Sequence, residues 1–185
     1  LVTGGAGFIG SHTCLLLLEK GYELVIIDSL INSSYSSIKK IGNIKSTTNE
    51  FFADRIKFYE IDMRDYLSIK NVFDIEFQNN NSIDAVIHFA GLKAVGESTL
   101  DPLKYWDFNV LSTVNLLKVM VQFNCKTIIF SSSATIYESK GNCLINEETT
   151  LKPINPYGNS KLAIERILED LYLSEPEKWK IINLR

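Results

Sequence analysis

The chain has 185 residues, 45% of them apolar, with 19 basic and 22 acidic side chains for a net charge of −3. That length suits one domain and the start of a second; the scattered basic residues exclude nucleic acid as an expected partner, and no apolar run reaches the roughly 18 residues of a membrane span. Small molecules are the expected partners. Cys14, Cys125 and Cys143 show neither metal-ligand nor redox-pair spacing, so no metal site is expected, and they read as reduced cysteines of a cytoplasmic protein.

The chain opens on Leu1-Val2-Thr3, the end of a strand, and passes through Gly4-Gly5-Ala6-Gly7-Phe8-Ile9-Gly10 into a helix. Gly4 permits a tight turn, Gly7 has no Cβ to hold a pyrophosphate off the backbone, and Gly10 lets the helix pack closely on the sheet. The helix N-terminus offers unpaired N–H groups and a positive dipole end to phosphate. Ordinary turns also collect glycine, so spacing alone leaves a dinucleotide site and a plain turn equally open. Context favours the first. Cys14, Leu15, Leu17 and Leu18 give the helix a broad apolar face, Lys20-Gly21 closes it, and Leu24-Val25-Ile26-Ile27 forms a second strand ending at Asp28, 24 residues beyond Gly4. An acid at that strand tip takes both adenosine ribose hydroxyls and repels a 2′-phosphate, which points to NAD rather than NADP.

Residues 29–54 are rich in Ser, Asn and Lys and are expected as a surface connection with a short helix around Ile38. A third strand over 56–61, a helix over 66–77 and a polar turn over 78–82 follow. Residues 85–89 read as a continuous buried strand of the kind parallel sheets require. The spacing of Trp106, Val110, Val114, Leu117 and Val121 predicts one long helix over 102–123. Thr127-Ile128-Ile129-Phe130 is a fifth strand and leads into Ser131-Ser132-Ser133. A loop with Gly141, Asn142 and Pro153 precedes a helix over 156–173, and Ile181 to Leu184 reads as another buried strand. Alternating strands and helices predict an α/β fold: a doubly wound parallel sheet with helices on both faces, one domain over 1–185, and ligands beyond the carboxyl ends of its strands. The missing initiator Met, with strands at both ends, leads us to expect a piece of a longer protein.

Tyr157 and Lys161 stand four apart, about one helical turn, so phenol and ammonium share a face. Tyr35/Lys39 and Tyr66/Lys70 have the same spacing, and a solvated helix surface is the ordinary reading of such pairs. Only Tyr157/Lys161 follows the strand expected beside a nicotinamide, so position singles it out. A free tyrosine titrates near 10, and serving as a base near neutrality takes a shift of about 3 units, or about 4 kcal/mol. One cation about 4 Å away supplies energy of that order at an effective dielectric of 20. Ser133 would then donate a hydrogen bond to the sugar oxygen whose proton Tyr157 removes. His12 and His88 read better as packed or capping histidines than as catalytic ones. Asp62 has two readings, an adenine contact or a turn former, and Lys93 divides equally between a cofactor ribose contact and a solvated side chain.

Four stretches carry a family resemblance: Thr3 to His12; His88-Phe89-Ala90-Gly91-Leu92-Lys93-Ala94-Val95-Gly96-Glu97-Ser98; Phe130 to Tyr137 with its triple serine; and Pro156-Tyr157-Gly158-Asn159-Ser160-Lys161. Together they resemble the UDP-glucose 4-epimerases of the extended short-chain dehydrogenase/reductase family, over nearly the whole chain. The first and last are shared across that superfamily; the Phe89 to Ser98 stretch and the serines followed by Ala134-Thr135 are much more specific to the epimerases.

The resemblance implies bound NAD, held by the glycine turn of Gly4, Gly7 and Gly10, the backbones of Phe8 and Ile9, and Asp28 with the loop Ser29, Leu30, Ile31, Asn32 and Ser33. It places adenine beside Asp62 and Met63 and runs Phe89, Ala90, Gly91, Leu92 and Lys93 along the cofactor. Ser133 and Tyr157 touch a UDP-sugar, Lys161 the nicotinamide ribose, and the full-length protein is a possible homodimer. Ser29 departs from the family's usual Asn, Glu138 from the Gly after Tyr137, and the connection before the third strand is longer; the family's carboxyl-terminal part, which holds most of the uridine nucleotide, is absent from the sequence. Relatives that dehydrate the 4-keto sugar carry an Asp-Glu pair where Ala134-Thr135 stand. The alternatives are another nucleotide-sugar epimerase, dehydratase or decarboxylase on this fold, or an NAD-binding regulator without turnover.

Overall fold

The computed structural model describes residues 1–45, 50–138 and 144–185. Gly141, Asn142 and Cys143, and part of the 29–54 connection, lie outside the described residues. Six strands, β1 (Val2–Thr3), β2 (Leu24–Asp28), β3 (Ile56–Glu60), β4 (Val86–His88), β5 (Thr127–Ser131) and β6 (Lys180–Leu184), form one sheet. Its order is β3-β2-β1-β4-β5-β6 and every pairing is parallel. The strand order reverses between β1 and β4, and in such sheets the crevice at that switch point takes the ligand.

The helices are α1 (Phe8–Glu19), α2 (Tyr35–Gly42), α3 (Tyr66–Gln78), α4 (Val95–Leu100), α5 (Pro102–Tyr105), α6 (Ser112–Gln122) and α7 (Pro156–Ser174), with a π-helical turn over Trp106–Leu111. Two of the starts have a clear local cause. Asp65 accepts from the Leu67 and Ser68 N–H groups to cap α3, and Asn155 accepts from Gly158 with Pro156 at the first helical position of α7. Gly21, at φ +92°, supplies the left-handed residue that ends α1.

Alternate strand residues feed two cores. Val25, Ile27, Val86, Ile128 and Phe130 pack with Ile69, Phe73, Leu116, Met120, Ile164 and Leu168 of α3, α6 and α7. On the other face, Val2, Leu24 and Ile26 meet Cys14 and Leu18 of α1, Ile38 and Ile41 of α2, and Phe52. Ile26, Ile27 and Ile128 are fully buried, each contributing on the order of 2 kcal/mol.

Three expectations are corrected. The 29–54 segment is more than surface: α2 and a 3₁₀ turn over Phe52–Arg55 bury Ile38, Ile41 and Phe52. The long helix is α5 and α6 joined by a π turn, and its buried face holds Tyr105, Asn109, Ser112, Thr113, Leu116 and Met120 beside Leu117 of the predicted stripe, whereas Trp106 and Val121 are exposed. Polar Asn109 and Ser112 on that face hid it from an apolar pattern. Residues 180–184 do form a strand, but at the sheet edge, where Ile182 and Leu184 are exposed.

Candidate active site

A cavity of about 370 Å³ opens at the carboxyl ends of the strands around the switch point. Its floor is the glycine turn. Gly4 has φ +67°, and a Cβ there would stand 2.7 Å from the Ala90 nitrogen; only glycine combines that backbone angle with that approach. A Cβ on Gly10 would stand 2.2 Å from the Gly4 carbonyl oxygen, so this glycine serves the closeness of helix to turn rather than of helix to sheet. Gly7 precedes α1 with no side-chain cap, and the first-turn N–H groups have no intrahelical acceptors. Phe8 and Ile9 line the cavity with Gly4, Gly7 and Gly10.

Asp28 lies at the end of β2, buried, and also lines the cavity. Its Oδ2 accepts the Ala6 N–H at 2.9 Å, and its Oδ1 accepts the Leu30 N–H at 2.9 Å and the Ser33 hydroxyl at 2.7 Å. The loop after it contributes Ser29, Ile31 and Asn32 to the lining, whereas Leu30 and Ser33 are not among the lining residues and hold the carboxylate instead. Asp62 and Met63 form the adjacent wall. Hydrogen bonding from the Arg64 side chain holds the Asp62 carboxyl below the usual carboxylate range.

Phe89, Ala90, Gly91, Leu92 and Lys93, following β4, line the opposite side. Asn109, buried in the π turn, fixes this segment: its Oδ1 accepts the Leu92 N–H at 2.7 Å, and its Nδ2 donates to the Leu92 carbonyl and to Ser160 Oγ. Ser160 in turn donates to the Tyr157 carbonyl at 2.7 Å. The loop and the start of α7 are thereby locked to each other.

Tyr157 and Lys161 both reach the cavity from α7, whereas Tyr35, Lys39, Tyr66 and Lys70 do not line it. Lys161 is buried; its Nζ donates to the Ser131 carbonyl at 2.8 Å and lies 4.7 Å from the Phe130 ring centroid and 6.0 Å from that of Tyr157. Burial brings its ammonium down to about 8. Tyr105 meets Tyr157 edge to face at 6.4 Å. Its phenol, pushed up to about 12 by burial and by its hydrogen bond to Glu97, stays neutral.

Ser133 is not among the lining residues. Its Oγ caps a 3₁₀ turn, accepting from the Thr135 N–H at 3.2 Å and the Thr135 hydroxyl at 2.9 Å. Ser131, Ser132, Phe108 and Ser112 do line the cavity and escaped the sequence reading: the serine run signalled the first two, while Phe108 and Ser112 depend on the π turn, which no periodicity announces. His12 is exposed, with Nδ1 2.8 Å from the Phe8 carbonyl. His88 is fully buried between Thr3 Oγ1 at 2.6 Å and Thr113 Oγ1 at 2.9 Å. Thr113 spends its proton on the Asn109 carbonyl, so His88 Nε2 donates to it and Nδ1 accepts from Thr3. Burial first, and then the Lys161 charge, lowers His88 to about 3, so it is a neutral strut.

A parallel sheet with a glycine turn and a strand-end acid around its switch point defines the class: a doubly wound, Rossmann-type nucleotide-binding protein. The family described as GDP-mannose 4,6 dehydratase matches residues 1–184, and the chain belongs to that family. Among its relatives, UDP-glucose 4-epimerase 2 of Arabidopsis thaliana is 46% identical over 185 residues, covering 100% of this chain and 50% of that protein. The UDP-glucose 4-epimerase of Bacillus subtilis is 45% identical, covering 100% and 51%. The crystal structure of UDP-glucose 4-epimerase from Bifidobacterium longum in complex with NAD+ and UDP superposes with a TM-score of 0.86 at 45% identity, covering 100% of this chain and 51% of that one. The chain thus spans about half the length of the curated relatives it matches.

Proposed function

We propose that this chain is the nucleotide-binding half of an NAD-dependent UDP-glucose 4-epimerase, which interconverts UDP-glucose and UDP-galactose through a 4-keto sugar. The observation that carries this reading is that Tyr157 and Lys161 reach the same cavity as the glycine turn and Asp28. These residues fit NAD: the turn and the α1 N-terminus suit a pyrophosphate, Asp28 suits ribose hydroxyls and opposes an added phosphate, and Lys161 suits the nicotinamide ribose. Bound NAD would supply a hydride acceptor and donor at C4 of the sugar.

The chain's own residues handle the proton. Tyr157 takes it from the 4-hydroxyl and later returns it, with Lys161 favouring the charged phenolate. Ser133 is an acceptor in both of its contacts with Thr135, so its own proton remains to be donated to the sugar oxygen. Ala134 has no titratable group, and the Thr135 hydroxyl neither gains nor gives up a proton at neutral pH. With no acid or base of theirs to drive loss of water, the 4-keto sugar returns by reduction. This favours epimerisation over the dehydratase chemistry in the family's description, and an intact Ser133, Tyr157 and Lys161 disfavour a regulator without turnover.

We infer a homodimer for the full-length protein. A reducing, cytoplasmic setting accords with free, buried Cys14 and Cys125, and a role in galactose metabolism follows from the proposed reaction alone. Among the described residues, no helix is long and apolar enough to cross a membrane. The test is to incubate the full-length protein with UDP-glucose and identify the products by NMR. UDP-galactose without net NADH is the expected result; a 6-deoxy-4-keto sugar nucleotide, or a pentose from loss of C6, would overturn the assignment.

A further inference from the structure

Arg64 joins two walls of the cavity without lining it; Asp62 and Phe108, its partners, both do. Its Nε lies 3.1 and 3.0 Å from the two oxygens of Asp62, its Nη2 lies 2.6 Å from Oδ2, and its backbone N–H donates to Oδ1 at 2.9 Å. On its other side the guanidinium carbon stands 3.7 Å from the centroid of the Phe108 ring. The Arg64 carbonyl accepts from Asn115 Nδ2 at 2.8 Å, which ties this corner to α6. Phe108 itself packs on Leu92, Tyr105 and Tyr157.

The arrangement restricts a carboxylate that would otherwise turn freely. Three N–H groups of Arg64 occupy three of the roughly four acceptor sites a carboxylate offers, which leaves one. The pair does little for the fold, because both side chains are 39% exposed and exposed ion pairs contribute little to stability. Its effect is pre-organisation: the planar guanidinium stacks on a ring and forks onto a carboxylate at once, which a lysine cannot do, and a donor arriving at the remaining site need not order the side chain.

We propose that Arg64 is a positioning residue that sets base selectivity at the dinucleotide site, by holding the open acceptor site of Asp62 toward a purine carrying an exocyclic amine. The inference rests on the NAD reading above, with adenine at Asp62. It is tested on the full-length protein, freed of bound nucleotide, by calorimetric titration with NAD and with its hypoxanthine analogue, in which a carbonyl replaces the amine. The parent prefers NAD by about tenfold or more, as expected for a hydrogen bond to a charged group. Arg64→Ala reduces that ratio to about threefold or less, mainly by weakening NAD, and approaches the ratio of Asp62→Ala, while Arg64→Lys recovers it only in part. Equal weakening of both nucleotides in Arg64→Ala, with the ratio preserved, would show a structural role alone and sink the proposal, as would full recovery by Arg64→Lys. A parent that binds NAD without preference also defeats it and leaves the NAD reading standing; a parent that binds neither nucleotide defeats that reading first.

Discussion

Replacing Lys161 by Met should reverse its effect on stability between neutral and alkaline pH. The ammonium is buried, and burial takes its pKa from 10.5 to about 8. The unfolded chain keeps this proton up to the higher value and the folded chain only up to the lower, so between them the unfolded state binds more protons and stability rises with pH. Below 8 the cost is fully present; at about 1.4 kcal/mol per pH unit it amounts to about 3 kcal/mol. Met removes the cost but also removes the donor that satisfies the Ser131 carbonyl, a loss of about 1–2 kcal/mol. The variant should therefore be more stable than the parent at pH 7 by about 1–2 kcal/mol, and less stable by a similar amount at pH 10.5. Urea unfolding of both cofactor-free proteins at the two pH values measures this, and groups common to both cancel in the difference. A difference of constant sign and size would refute the claim that this lysine is held charged at the expense of the fold.

Tyr157→Phe in the full-length protein should lower turnover by about 10² or more while NAD stays bound; a larger loss in Tyr35→Phe or Tyr66→Phe, followed by the same assay, would show that the wrong tyrosine was chosen. Gly10→Ala would set a methyl 2.2 Å from the Gly4 carbonyl oxygen, and backbone on both sides cannot yield, so thermal unfolding should show a loss of about 1–3 kcal/mol with weakened NAD binding; a variant that melts and titrates like the parent contradicts the packing described. His88 titrates at about 3 in the fold against 6.5 unfolded, so the unfolded state takes up its proton first as pH falls. About 3 kcal/mol of stability should disappear between pH 6.5 and 4, and equal acid sensitivity in His88→Gln would count against that account.

The strands, the first turn and the pairing of Tyr157 with Lys161 were legible because each is dictated within a few residues. Leu24 to Ile27 has no polar member to break a buried strand, Gly4 stands where only glycine fits, and four residues of α7 separate phenol from ammonium. What escaped depends on residues far apart in sequence. The π turn over Trp106–Leu111 exists where Asn109 is held by Leu92 and Ser160, and it leaves Trp106 exposed while Tyr105 is buried. Phe52 is buried by α1 and α2 rather than by its own polar surroundings. The serine run announced a polar corner, but which hydroxyl faces the cavity depends on the 3₁₀ turn that Ser133 caps. An edge strand reads like an internal one because exposure of Ile182 and Leu184 is a property of the neighbours, not of the strand.

On the NAD reading proposed above, the bonds of Asp28 to Ala6, Leu30 and Ser33 bind coenzyme preference to architecture. A lineage or an engineer seeking to exchange one nicotinamide coenzyme for the other would begin at this acid, yet its removal also unfastens the glycine turn and leaves Leu30, which sits at φ +57°, without the acceptor that holds its N–H. Any viable route must first supply substitute acceptors for those backbone groups. On that reading, coenzyme choice at this position is difficult to change by a single substitution, and the smaller adaptive steps are open at Ser29, Ile31 and Asn32, which line the cavity.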